Sequence, residues 1–333
     1  MEYCLLVLTK HLLLKLFSLV LLTVVSLSFS AFAEENLTSA VDKHSQLIKD
    51  VRELSNDQMQ GRKAPSPGHV LAKSYITQRY KAHNLQSFSE FEDYEQSFEF
   101  GSRKITGTNL LGYIKGTKYP ELFFVITAHY DHLGGSGARI YNGANDNASG
   151  IAAMLALLSK YSNEVPAYSV MFIATDAEEP GLYGAKHFVN NSPVATDNII
   201  LNVNVDMIGD GGRRNTLYAL ASSKSAKFKQ ALPKLADFAE GLPLKLRWRK
   251  NVRLHHKSLQ ERIDWRQASD HASFGRIGIP YLYFGADTNN LYHTTKDTFD
   301  HLDQEFFIAS VTAIIKIADY LQNLKPSELL EDK

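Results

Sequence analysis

Seven side chains in this sequence are of the types that hold divalent cations or move protons: His129, Asp131, Asp146, Glu178, Glu179, Asp206 and His293. Their settings repeat. His129-Tyr130-Asp131 follows the apolar run 121–128. Asp176-Ala177-Glu178-Glu179 follows 169–175, and Asp206 closes 199–205. Asp146 lies among small residues in the stretch 143–150 (GANDNASG), and His293 lies in 291–298 (LYHTTKDT). A hydrolytic centre with two divalent ions roughly 3.5–4 Å apart needs this inventory: a carboxylate to bridge them and further His, Asp or Glu ligands. It also needs a general base that is not used up as a ligand. Adjacent residues such as Glu178 and Glu179 point in different directions, so one can ligate while the other takes a proton. Asp131, two residues past His129, is placed to orient that imidazole. Asp146, at a helix start, is expected to stay ionised.

The elements that position these groups follow from the hydrophobic pattern. Runs of seven or eight residues rich in β-branched and aromatic side chains are predicted to be buried strands of a parallel sheet. In such a sheet the ligand site lies beyond the carboxyl ends of the strands. Phe98 to Ile114 is predicted to form one or two strands broken at Gly101 and Gly107, and 279–285 a further strand. Helices are predicted over 147–161, 182–190 and 222–240, with a last one N-capped by Asp303. Residues 34–100 read as mostly helical. Strands alternating with helices argue for an α/β fold, a three-layer α/β/α sandwich on a mixed, mostly parallel sheet. Residues 34–333 are expected to form a single domain with its catalytic core over 101–325. Residues 243–253 alternate apolar with basic side chains, as a charged edge strand does; the alternative is a contact surface for acidic polymers.

The ends and the composition narrow the function classes. Lys10 and Lys15, the apolar stretch 16–29 and Ala31-Phe32-Ala33 have the layout of a secretory signal peptide cleaved after Ala33, against the alternative of a retained anchor. The expectation is an exported protein, periplasmic or secreted, with no stable membrane association after cleavage. The one cysteine is Cys4, so a thiolate metal site and a cysteine nucleophile are excluded from the remainder. Lys plus Arg and Asp plus Glu number 36 each, which gives no electrostatic footprint for nucleic acid. There is no Gly-x-Ser-x-Gly elbow and no His-Glu-x-x-His helix.

The ordered set of motifs at 129–131, 143–150, 176–184, 204–207, 269–274 and 292–297 closely resembles the M28 family of zinc exopeptidases over roughly residues 105–325, and Gln60-Gly61-Arg62 with Pro67-Gly68 resembles that family's N-terminal region. The resemblance implies a phosphorylase/hydrolase-like fold, peptide substrates and two Zn2+ ions bridged by Asp146. One ion would take His129 and Asp206, the other Glu179 and His293. Glu178 matches the general base, Asp131 the acid beside the first histidine, and Asp270-His271 a segment lining the site. It implies an aminopeptidase. The rivals are a carboxypeptidase of the same superfamily, gripping its substrate through Arg139, Arg213 or Arg214, a glutaminyl cyclase, and a metal-free binding domain. The glycine-rich stretch 133–141 is expected to form a flap. His132, His187, His255, His256 and His301 are read as surface or packing residues.

Overall fold

Four apolar runs become the centre of the sheet. In the computed structural model the described residues are 44–222, 226–242, 244–249, 253–255, 262–286 and 290–329. The signal-peptide segment, Cys4 and His256 lie outside them. Met1–Gln46 and Leu47–Lys333 form separate units; of the first only 44–46 are described, and they are helical. No helix among the described residues is long and apolar enough to cross a membrane.

Strands β1 (Glu95–Phe100), β2 (Ile105–Ile114), β3 (Tyr119–His129), β6 (Tyr168–Thr175), β7 (Ile199–Val205), β8 (Leu217–Ala221), β9 (Leu246–Arg249) and β12 (Tyr281–Ala286) form one sheet. Its order is β1-β2-β6-β3-β7-β12-β8-β9. Neighbours within β6-β3-β7-β12 are parallel, and antiparallel pairs flank that block. Along β3, Phe123 and Val125 join one hydrophobic cluster while Phe124 and Ile126 join another on the opposite face. Burial on both faces is why the run reads as continuously apolar rather than alternating. One face is covered by α2 (Pro67–Ala82), α3 (Ser149–Asn163) and α7 (Gln304–Gln322), the other by α4 (Tyr183–Asn190) and α6 (His271–Arg276). Helices on both sides of a mixed eight-stranded sheet make the three-layer sandwich that the pattern predicts. Asp303 caps α7 by accepting from the Phe306 N–H at 3.0 Å.

Three details differ from the sequence reading. The segment before residue 100 is not all helical, since β1 opens the sheet. Gly107 is not a break but lies within β2, paired with Phe98. A Cβ on Gly107 would stand 2.6 Å from the Phe98 ring, so the glycine makes room for the aromatic face. The short strand β8, with only five residues, gave no usable periodicity. At the far margin β9 is the edge strand, with Lys245 and Arg247 exposed and Leu246 and Trp248 packed inward. That pattern discourages edge-to-edge pairing.

Because β6, β3, β7 and β12 run parallel, their carboxyl ends share one rim. His129 pairs with Thr175, and Phe284 with Val205. The residues next in sequence are thereby gathered at one place. The glycine-rich stretch folds into a hairpin of β4 (Gly134–Ser136) and β5 (Arg139–Tyr141). Its base abuts Gly61, where a side chain would meet the carbonyls of Tyr141 and Gly134 at 2.3 and 2.4 Å.

Candidate metal centre

The side chains reach the rim through sharply turned backbone. Ala177 before Glu178, Met207 after Asp206, and His293 itself all have left-handed φ, at 51°, 57° and 55°. Such conformations are costly for residues with a Cβ and cluster where a site demands them. Asp146 lies in the tight turn Ala144–Ala148 just ahead of α3, not in its regular first turn. Asp297 holds that turn: its two carboxylate oxygens accept the N–H groups of Asn145 (2.8 Å) and Asp146 (3.0 Å). It thus ties the His293 loop to the Asp146 loop.

The donor atoms have the spacing of ligands. His129 Nε2 is 3.3 Å from Asp146 Oδ1 and 3.4 Å from Asp206 Oδ1. His293 Nε2 is 3.2 Å from Asp146 Oδ2 and 3.2 Å from Glu179 Oε2. Two ligands about 2.0–2.1 Å from a tetrahedral ion stand about 3.3 Å apart. Asp206 Oδ1 and His293 Nε2 are buried and make no hydrogen bond, as expected of atoms whose partner is a cation. Asp146 gives one oxygen to each group, so a bridging arrangement fits. His132 also lies here, completing a second possible donor group with Asp146 and Glu179. Its Nδ1 is 2.6 Å from Glu179 Oε1 and 3.8 Å from Asp146 Oδ2. The first distance is a hydrogen bond and too short for two ligands of one ion. His293 therefore fits the second position better than His132.

Electrostatics agree. Burial works against protonating His129, yet Glu178 and Asp206 raise its pKa well above the usual imidazole range. Burial works against protonating His293, yet the neighbouring Asp146 and Glu179 carboxylates push it up to about 10. Burial opposes ionisation of Asp146 too, but His132, His129 and His293 hold its carboxyl well below the usual range. So concentrated a negative field attracts cations, and metal entering it displaces protons. The two adjacent glutamates diverge. Burial raises Glu178 well above the ordinary value, reinforced by Asp270 and Asp206 and opposed by His129. Burial and the Asp146 charge oppose ionisation of Glu179, yet the hydrogen bond with His132 and the neighbouring His293 ring lower it.

Asp131 acts differently from expectation. The His129 ring is oriented by the main chain, with Nδ1 3.1 Å from the Asp131 carbonyl oxygen and 3.7 Å from its carboxylate. Nδ1 then carries the hydrogen and Nε2 is the free donor. The Asp131 carboxylate instead accepts the N–H groups of Glu178 (3.0 Å) and Glu179 (3.3 Å), anchoring the glutamate turn. Arg62 is fully buried. It donates to the carbonyls of Tyr130 (2.8 Å), Leu54 (2.6 Å), Asn142 (2.5 Å) and Gly143 (2.9 Å). It thereby joins the loops carrying His129 and Asp146.

These groups open on a cavity of about 230 Å³ lined by His129, Asp146, Glu178, Glu179, Asp206, Met207, Trp265, Ala268, Tyr283, Ala286 and Tyr292. Asp270 and His271 do not line it. Both are buried, Asp270 accepting a hydrogen bond from Thr175 and His271 lying 2.8 Å from the Trp265 carbonyl. Arg139, Arg213 and Arg214 are exposed and stand off the cavity wall. His187 stacks on Phe98, a packing role as read from the sequence. The sequence reading takes His132 for a surface or packing residue and includes Asp297 and Arg62 only within the motifs of the family resemblance. The position of His132 directly after the His-x-Asp triplet was the available signal.

Comparison with known proteins supplies a family. The model described as Peptidase family M28 matches residues 109–318. The chain is 28% identical over 220 residues to aminopeptidase YwaD of Bacillus subtilis, covering 60% of this chain and 41% of that protein. It is 31% identical over 266 residues to a vacuolar membrane protease of Candida tropicalis, covering 77% and 26%. The chain thus spans less than half the length of these relatives. LapB from Legionella pneumophila superposes with a TM-score of 0.63 at 21% identity, over 84% of this chain and 72% of that one. A glutaminyl cyclase from Bacteroides thetaiotaomicron superposes with a TM-score of 0.62 at 17% identity, over 85% and 98%. At these identities the structural likenesses establish the fold.

Proposed function

Since the chain belongs to peptidase family M28, we propose that it is an exported aminopeptidase holding two Zn2+ ions. Asp146 would be shared between them, His129 and Asp206 would hold one, and Glu179 and His293 would hold the other. The observation that supports this reading is the 3.2–3.4 Å spacing of carboxylate oxygens about His129 Nε2 and about His293 Nε2, with Asp146 giving one oxygen to each histidine. When bound, the ions supply a water acidic enough to lose a proton near neutral pH and polarise the scissile carbonyl. Glu178, on the cavity wall beside His129, takes the proton from that water and delivers it to the departing amine. Asp131 keeps Glu178 and Glu179 in place through their backbone N–H groups.

Among the described residues no Lys or Arg lines the cavity, which a carboxypeptidase would need. Chromogenic aminoacyl substrates with a free amine should be cleaved and N-blocked peptides spared, and chelation should remove the activity. Cleavage of blocked peptides alone, or undiminished activity in a stripped preparation, would reject the reading. Export to the periplasm or beyond rests on residues 1–33. N-terminal sequencing of the protein recovered from outside the cytoplasm is expected to begin at Glu34, and a chain beginning at Met1 there would count against cleavage.

A further inference from the structure

The two oxygens of the Glu179 carboxylate face different histidines. Oε2 lies 3.2 Å from His293 Nε2, at the distance of two ligands on one ion, while Oε1 lies 2.6 Å from His132 Nδ1. A glutamate side chain has three torsions and sets its own oxygens poorly. A hydrogen bond to the outer oxygen fixes which one faces the ion. His132 is itself immobilised. It is 1% exposed, its ring meets that of His293 edge-on at 5.9 Å, and a Cβ on Gly143 would stand 2.6 Å from its Cδ2. The Gly143 carbonyl is in turn held by Arg62 at 2.9 Å.

We propose that His132 is a positioning residue: its Nδ1–H holds the outer oxygen of Glu179 so that the other oxygen faces the ion shared with Asp146 and His293, an inference that rests on the two-ion reading. His132 does not ligate. Its contact with Glu179 is a hydrogen bond, and its effect should be confined to one of the two ion positions.

The test is zinc titration by calorimetry and Co2+ loading followed by visible absorption, on the full chain after stripping. In His132→Ala one equivalent should bind as in the wild type and the other roughly 10–100-fold more weakly, with an altered Co2+ spectrum for the weakened equivalent. His132→Asn, whose amide N–H reaches toward the same oxygen, should recover most of the loss. Wild-type affinity at both positions in His132→Ala overturns the proposal. Equal weakening of both positions also overturns it, since that marks a general loosening. Should His132→Ala fail to fold, His132→Phe beside His132→Asn decides: weakening of one equivalent alone in the Phe variant supports the role, and affinities equal to those of the Asn variant overturn it. A wild-type protein that takes up fewer than two ions removes the underlying reading itself, so the two failures are distinguishable.

Discussion

Glu178→Gln is expected to lower kcat by roughly 10²–10⁴-fold and to leave the metal content of the protein unchanged. Glutamine keeps the shape of the side chain but has no site for a proton from water. Glu178 lies beside His129 and Asp206 on the cavity wall without taking part in either donor group. The environment raises Glu178 while lowering its neighbour Glu179, a divergence that fits the proposed division into a proton-transfer group and a ligand. Glu179→Gln should differ in kind, losing an ion along with activity. Steady-state kinetics with elemental analysis of both variants checks this. A Glu178→Gln enzyme at full rate would remove the base from the mechanism.

The largest expected effect on stability is at Arg62. Arg62→Met should cost more than about 4 kcal/mol, or prevent folding. The change leaves the carbonyls of Leu54, Tyr130, Asn142 and Gly143 short of a donor inside the protein, at about 1–3 kcal/mol for each buried group left unmade. Net stability of a typical domain is only about 5–15 kcal/mol. Burial lowers the Arg62 pKa to about 10, with Asp297 and Asp146 opposing the shift, so the group remains a cation at neutral pH. Gln60, Gly61 and Arg62 all adopt left-handed φ, at 49°, 65° and 51°. That conformation is costly for Gln60 and Arg62, and the bonds made by Arg62 offset it. Arg62→Lys should fall between, since one ammonium cannot reproduce the planar fork. Urea unfolding midpoints for the three proteins make the comparison; an Arg62→Met midpoint within error of wild type would contradict it.

What was legible in the sequence follows from how each signal is carried. The central strands announced themselves because burial on both faces removes polar interruptions, and the groups that follow them inherited a location from the sheet. His132 did not announce itself. Its partner Glu179 lies at the end of another strand, and no local pattern marks a hydrogen bond between distant loops. Asp131 was found by spacing but its bonding was not, because main chain and carboxylate compete for the same imidazole. Gly107 was taken for a break when it serves close packing against Phe98. Strand order, and the insertion of β8 antiparallel beside β12, depend on crossovers that five residues of periodicity do not reveal.

The proposed sharing of Asp146 by two ions would have a thermodynamic consequence. Were Asp146 common to both positions, occupancy at one would alter the charge and orientation felt at the other. The free energy of that interaction is the same whichever ion arrives first. The factor by which filling the first position changes the affinity of the second therefore equals the factor by which filling the second changes the first, and the pair would behave as a linked equilibrium rather than as two independent sites.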